Sequence, residues 1–246
     1  MLPTLPIISL GSRPAFEKVR REEPILFLSI IAASASTLTA LDLYEKLHKE
    51  ALSVITYNSV VEGQKTSELL QSLLLLTFWP MAPARYLYRQ FNSNLRFDQL
   101  KTYLHCHMCV GMAIDLALQR SPKEARNDKS RLFDEVDPCN RKENFTRPLE
   151  KERTWLAVFV SAIGYQISHW TCDLTDSFAV GMRRPHSLDW TPHHSYCCQV
   201  LKEGGHANDV RLVHIAELLK FCQDVSKTFC YDTRPKSTSL LYLWKC

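Results

Sequence analysis

The sequence predicts an all-α protein, and three observations carry that expectation. Glycine is scarce, seven in 246 residues, whereas strand-rich folds use glycine in turns and bulges. Apolar residues recur at intervals of three and four in segment after segment, the period that gives a helix one buried face. Runs that alternate apolar and polar residues last only a few positions, so no strand pattern competes.

The elements follow in order. Residues 1–16 hold three prolines and no period, and with the charged stretch up to 22 they read as an N-terminal arm. Helical patterning starts at 23, where Glu22, Glu23 and Pro24 make a first turn with acidic charge at the positive end of the dipole. A second helix repeats Leu43, Leu47, Ala51, Leu52 and Ile55 inward, faces Asp42, Glu45, Lys46 and Lys49 out, and breaks at Gly63. Thr66 or Ser67 then caps SELLQSLLLLTFWP, whose apolar residues surround the axis and predict a buried central helix ended by Pro80 and Pro83. Residues 97–119 form a fourth helix. Residues 121–147 are charged and carry Pro122 and Pro138, which predicts a long loop. Helix returns over 150–168, regularity breaks in GMRRPHSLDWTPHH, and a last helix covers 210–229. Residues 236–246 are a tail.

Composition narrows the function classes. A net charge of +4 is too small to predict a nucleic-acid surface by itself. Nine cysteines with no regular spacing read as reduced thiols of an intracellular protein rather than a disulfide framework. Residues 24–41 and 154–172 approach the length of about 20 that spans a bilayer. Their hydroxyls, with Gln166 and His169 in the second, favour helices buried in protein, and a helical membrane protein is the rival reading. None of the nucleotide-binding, nucleophile-elbow or zinc-protease motifs occurs. An all-α enzyme of unknown chemistry is therefore a second rival, and the expectation is no catalytic residue.

The stretch HCHMC, His105 to Cys109, raises the question of a metal. At about 100° per residue, Leu104, His107, Gly111, Ile114 and Leu118 fall near Leu100 and predict the buried stripe of the fourth helix. His105, Cys106 and Cys109 lie on the other side and need a further ligand, for which HHSYCC, His193 to Cys198, is the donor to consider. A zinc Cys-x-x-Cys normally sits in a turn, whereas this one lies within a helix. The expectation is small cysteines packed against a neighbouring helix, and no metal.

GMAIDLALQR, residues 111–120, resembles a phrase of the middle-homology (regulatory) domain of fungal zinc-cluster transcription factors. Three further segments agree in order. LLQSLLLLTFWP resembles the family's Leu-rich helix with Trp79 at its end. EKERTWLAVFV is similar to its Arg-Arg-x-Trp helix, through Arg153 and Trp155. RRPHSLDWTPHHSYCCQVL resembles its Arg-Pro…Trp-Thr…Cys-Cys segment, through Arg184, Pro185 and Trp190, in relatives that regulate extracellular proteases or weak-acid resistance.

The resemblance implies an all-α regulatory domain over residues 23–235 and a nuclear protein of transcription regulation. Its implied partners are the transcription machinery or a sister transcription factor, in some relatives with a small-molecule effector, and no membrane. The six-cysteine zinc cluster is not in this sequence, so the implied cofactor of the chain itself is none, and DNA contact requires a cluster supplied upstream. A shortened paralogue or an imperfect gene model would account for that difference.

Trp79, Gly111, Asp115, Arg120, Arg153, Trp155, Arg184, Pro185 and Trp190 are carried over as structural motif residues. Physically, Gly111 in a buried stripe lets another helix approach closely. Asp115 sits at the stripe's edge, and Arg120 lies near a helix C-terminus, where a cation is favoured. Arg153, near a helix start, opposes the dipole and is expected to meet a carboxylate such as Glu150 or Asp115. Ala117 and Gln119 replace the family's Gly and His.

Overall fold

The computed structural model describes residues 8, 13–35, 41–78, 95–120, 141–142, 147, 149–172, 188–204 and 206–228. Trp79, Arg184 and Pro185 lie outside them, as does the charged loop apart from residues 141–142 and 147. The described residues are all-α. They form α1 (Arg13–Glu22), α2 (Pro24–Ala35), α3 (Leu41–Thr56) running into a π-turn (Tyr57–Val61), and α4 (Ser67–Phe78). Then come α5 (Leu95–Asp115), α6 (Glu150–Cys172), α7 (Pro192–Glu203) and α8 (Ala207–Thr228). Among the described residues strand is limited to a two-residue parallel pairing of β1 (Lys65–Thr66) with β2 (Arg141–Lys142).

Helix begins at Arg13, ten residues ahead of the patterned start at 23, so the end of the expected arm is helical. Tertiary contact accounts for it. Val19 is buried, and Phe16 meets Phe27 of α2 edge to face at 5.3 Å. The start of α2 is as expected, with Pro24 in its first position. Its free amides are capped from a distance, the Ile25 amide donating to Glu68 Oε1 at 2.7 Å.

In α3, Ala51 and Ile55 face the core, but Leu43 is half exposed and Tyr44 is buried in its stead. Gly63 ends this unit at φ +65°, a conformation that costs glycine little. Thr66 caps α4, its hydroxyl accepting from the Leu69 amide at 3.2 Å. Every residue of α4 from Ser67 to Thr77 except Glu68 is buried. This central helix packs on α2, α3, α5 and α6.

The core has two parts, and α6 belongs to both. Trp155, Ala157, Val158 and Ala162 join α2, α4 and α5, whereas Leu156, Phe159, Val160 and Ile163 join α7 and α8. A helix apolar on all sides must be covered on all sides, and residues 153–163 of α6 are buried throughout. Among the described residues no helix is long and apolar enough to cross a membrane. The membrane reading of 24–41 and 154–172 is thereby corrected: residues 24–35 of the first run build α2, and the second run lies in α6.

The α5 face is reversed from expectation. Cys106, Cys109, Ala113 and Leu116 are buried, while Leu104 and Ile114 are exposed and a Cβ on Gly111 would meet nothing within 4 Å. Among the described residues no neighbouring helix uses the bare backbone at Gly111. The reason is that α4 and α6 cover the cysteine side, where small residues allow close packing. The helix also stops at Asp115, earlier than the 119 expected. Ala117 turns left-handed at φ 55°, the Leu118 amide returns to Ala113 O at 3.0 Å, and the Ala117 amide donates to Ile114 O at 2.9 Å. This is a Schellman ending, and it folds Leu118 back into the core.

Helix α7 was not anticipated from WTPHHSYCC. Its signals are local: Thr191 as N-cap, Pro192 in the first turn, and a capping box closed by His194.

Candidate functional site

The polar residues that matter gather at the N-terminal end of α6. Glu150 and Glu152 supply negative charge to its first turn. Arg153 follows on the side facing α8 and finds Asp209 in the first turn of that helix. Arg153 Nε donates to Oδ1 at 2.6 Å and NH2 to Oδ2 at 2.8 Å, with both side chains buried. The expected partners, Glu150 and Asp115, are engaged elsewhere. Asp115 pairs with Lys65 at 2.7 Å in a half-exposed bridge.

Glu150 instead receives Arg147, which precedes the helix. The Arg147 amide donates to Glu150 Oε2 at 2.9 Å and Nε to Oε1 at 2.7 Å, and NH2 also donates to Oε1. The same guanidinium donates to Glu23 at 3.0 Å and Gln71 at 3.0 Å. Gln71 in turn donates to Glu150 at 2.8 Å and to the Thr154 hydroxyl at 3.1 Å. One arginine thus ties α2, α4 and α6 together. Burial raises Glu23 above the usual carboxylate range, Arg147 acts against that rise, and Glu150 and Glu68 add to it.

Trp155, the second residue of the Arg-Trp match, is fully buried. It stacks on His194 at 4.9 Å, and His194 also stacks on Trp190 at 5.3 Å. Phe159 closes the cluster at 5.0 Å from both Trp190 and His194. His194 Nδ1 accepts from the Thr191 amide at 3.0 Å, which places the ring proton on Nε2. Burial, with His193 adding to it, pushes His194 down to about 4. Next to it His193 Nε2 bonds Leu118 O at 3.0 Å, joining α7 to the end of α5.

The motif residues therefore separate by role. Arg153, Trp155 and Trp190 converge around α6. Gly111, Asp115 and Arg120 sit on α5 and its following turn, with Arg120 half-buried there. Sequence reasoning missed Asp209, Arg147 and His194. An acidic residue in the first turn of α8 and the Thr-Pro-His-His start of α7 were the available signals.

The HCHMC residues do not converge on HHSYCC. Cys106 donates to Ser161 O at 3.6 Å, Cys109 is buried in the first core, and His107 lies against Tyr103 at 4.2 Å. Burial pushes the Cys106 thiol up to about 12, Cys198 to about 11, and Cys109 and Cys197 well upward. Buried thiols of this kind are poor metal ligands and nucleophiles. Among the described residues no three His, Cys, Asp or Glu side chains are grouped to hold a metal. An open groove of about 560 Å³ runs between α7 and α8, lined by Trp190, Lys202, Glu217, Lys220 and Phe221.

The charged and aromatic motif residues Arg153, Trp155 and Trp190 thus tie one helix of the bundle to another. The chain belongs to the family of the fungal specific transcription factor domain, whose model matches residues 4–163. It is similar to the transcription factor pbcR of Emericella nidulans, 26% identical over 233 residues. That match covers 88% of this chain and 28% of that protein, so the chain spans under a third of its relative's length. No solved structure matches.

Proposed function

We propose that the chain is a non-catalytic regulatory module that works in the nucleus by contact with the transcription machinery or a sister transcription factor. The observation that supports this reading is the use of the Arg-Trp motif as ties between helices. Arg153 holds α8, Trp155 holds α7, and Arg147 holds α2 and α4 to the same helix end. Ties of this kind make helix packing a property that a partner or small-molecule effector can shift, since a ligand moves an equilibrium by its preference for one packing. The reading assigns no cofactor to these residues, and zinc and DNA contact would belong to a six-cysteine cluster supplied upstream.

The test is a fusion of residues 1–246 to a heterologous DNA-binding domain in a fungal reporter strain, with a fluorescent tag on the chain. Nuclear accumulation and a severalfold change in reporter output are expected. The change should be lost in Arg153→Ala. A stable fusion that is excluded from the nucleus and leaves the reporter unchanged would sink the proposal.

A further inference from the structure

The turn that leads into α6 is strained. Arg147 to Glu150 close as a four-residue turn, the Glu150 amide donating to Arg147 O at 3.3 Å. Leu149, at its third position, has φ 56°. A turn with a positive φ there favours glycine, because a Cβ in the left-handed region crowds the neighbouring carbonyl. A leucine at this place calls for a reason, and its side chain supplies one. Leu149 is half-buried against the second core. A Cβ on Gly204, the C-cap of α7, would lie 2.9 Å from Leu149 Cδ1. Gly204 itself has φ −65°, open to any residue, so what it offers is room for Leu149.

The other end of the same turn reaches the first core. The Arg147 amide donates to Glu150 Oε2 at 2.9 Å. Its guanidinium donates to Glu23, at the entry to α2, and to Gln71 of α4, each at 3.0 Å. Helix α2 packs chiefly on α3 and α4, and α7 on α6 and α8. Arg147 and Leu149, two residues apart, thus bring the first helices and the last ones to one strained turn.

We infer that this turn couples the docking of α7 to the docking of α2. A strained backbone persists only where its surroundings over-determine it. Packing of Leu149 beside Gly204 holds φ positive, the positive φ keeps the turn closed, and the closed turn aims Arg147 at Glu23 and Gln71. Loss of the Leu149 contact lets the backbone relax. Rotation about the Leu149 N–Cα bond then carries Arg147 away from its partners. Such coupling is reciprocal, so a ligand or partner that shifts α7 is felt at α2, and the converse. The inference rests on the turn and is independent of the proposed function.

Hydrogen exchange of α2, read peptide by peptide in the 246-residue chain, tests it, with circular dichroism melting to confirm that each variant is folded. Leu149→Ala keeps the strain and removes the packing, and should speed exchange in α2 by about tenfold or more. Leu149→Gly removes the same packing and the strain with it, and should return α2 to within about threefold of the parent. Were Leu149 there for packing alone, glycine would be no better than alanine. Gly204→Val crowds Leu149 from the α7 side and should speed α2 exchange by about fivefold. In the Leu149→Gly background it should do nothing, since no side chain is left to displace. That pair of measurements decides the point even where Leu149→Ala does not fold. The inference is overturned if α2 exchanges as fast in Leu149→Gly as in Leu149→Ala. It is equally overturned if Gly204→Val leaves α2 unchanged in the parent, or acts undiminished in Leu149→Gly.

Discussion

Arg153 and Asp209 form a buried two-point ion pair across 56 residues of sequence, at 2.6 and 2.8 Å. Asp209 lies in the first turn of α8, where the helix dipole favours a carboxylate. Arg153 sits where its own helix disfavours a cation, and the pair offsets that. Removing either partner leaves a buried charge, so Arg153→Ala and Asp209→Ala should each cost about 3–5 kcal/mol. The double variant Arg153→Met with Asp209→Leu should cost less than either single. Thermal and denaturant melts check this, and additive losses would contradict it.

Two glutamates on Arg147 should behave differently. Glu150 accepts from Arg147 and Gln71 and is nearly fully buried, so Glu150→Gln should lose about 2–4 kcal/mol. Glu23 makes one contact with Arg147 and has a raised pKa from burial near other carboxylates. Glu23→Gln should therefore stay within about 1 kcal/mol of the parent. Equal losses in urea melts would count against this division.

Ala117 adopts φ 55° at the position where the Schellman ending of α5 favours glycine. An L-residue there costs about 1–2 kcal/mol. Ala117→Gly should raise stability by about 1 kcal/mol after the added chain entropy of glycine. Ala117→Val should lower it. The melting temperatures of the three proteins decide the point.

His194 links stability to pH. Its folded pKa, about 4, lies below its ordinary 6.5. Above 6.5 the ring is neutral in both states and the fold keeps its full stability. As pH falls from 6.5 towards 4 the unfolded chain takes the proton first, and up to about 3 kcal/mol is lost. His194→Gln retains an acceptor for the Thr191 amide and should flatten this part of the profile. Denaturant midpoints between pH 4 and 7.5 measure it, and unchanged curvature in the variant would refute the assignment.

Cys106, Cys109, Cys197 and Cys198 are buried free thiols. In the native protein they should resist alkylation at neutral pH and react only on unfolding. Peptide mapping after pulse labelling reads this site by site. Rapid native labelling of Cys109 would show that α5 does not pack with its cysteine side inward.

Much of this was legible in order along the chain. The scarcity of glycine and the three-and-four period announced helices, and SELLQSLLLLTF announced a helix buried all round because no face of it is polar. The Arg-Trp phrase pointed to the end of α6 where the polar ties gather. Local chemistry also marked the Thr66 cap and the Gly63 break, since both act within a few residues.

What could not be read depends on which surfaces meet. α5 has apolar residues on two sides, with Leu104, His107, Gly111 and Ile114 on one and Cys106, Cys109, Ala113 and Leu116 on the other. Periodicity names both stripes and ranks neither. Packing against α4 and α6 chose the smaller, flatter one, and the left-handed Ala117 then returned Leu118 to the core. The partner of Arg153 was hidden for a related reason: a carboxylate 56 residues away becomes its neighbour only when α8 crosses α6. The sequence alone determined most of the helices, the cap at the start of α4 and the family, because those rest on local periods and phrases. Only the tertiary structure decided which face of α5 is inside and which charges are paired, because both depend on elements distant in the chain arriving at the same place.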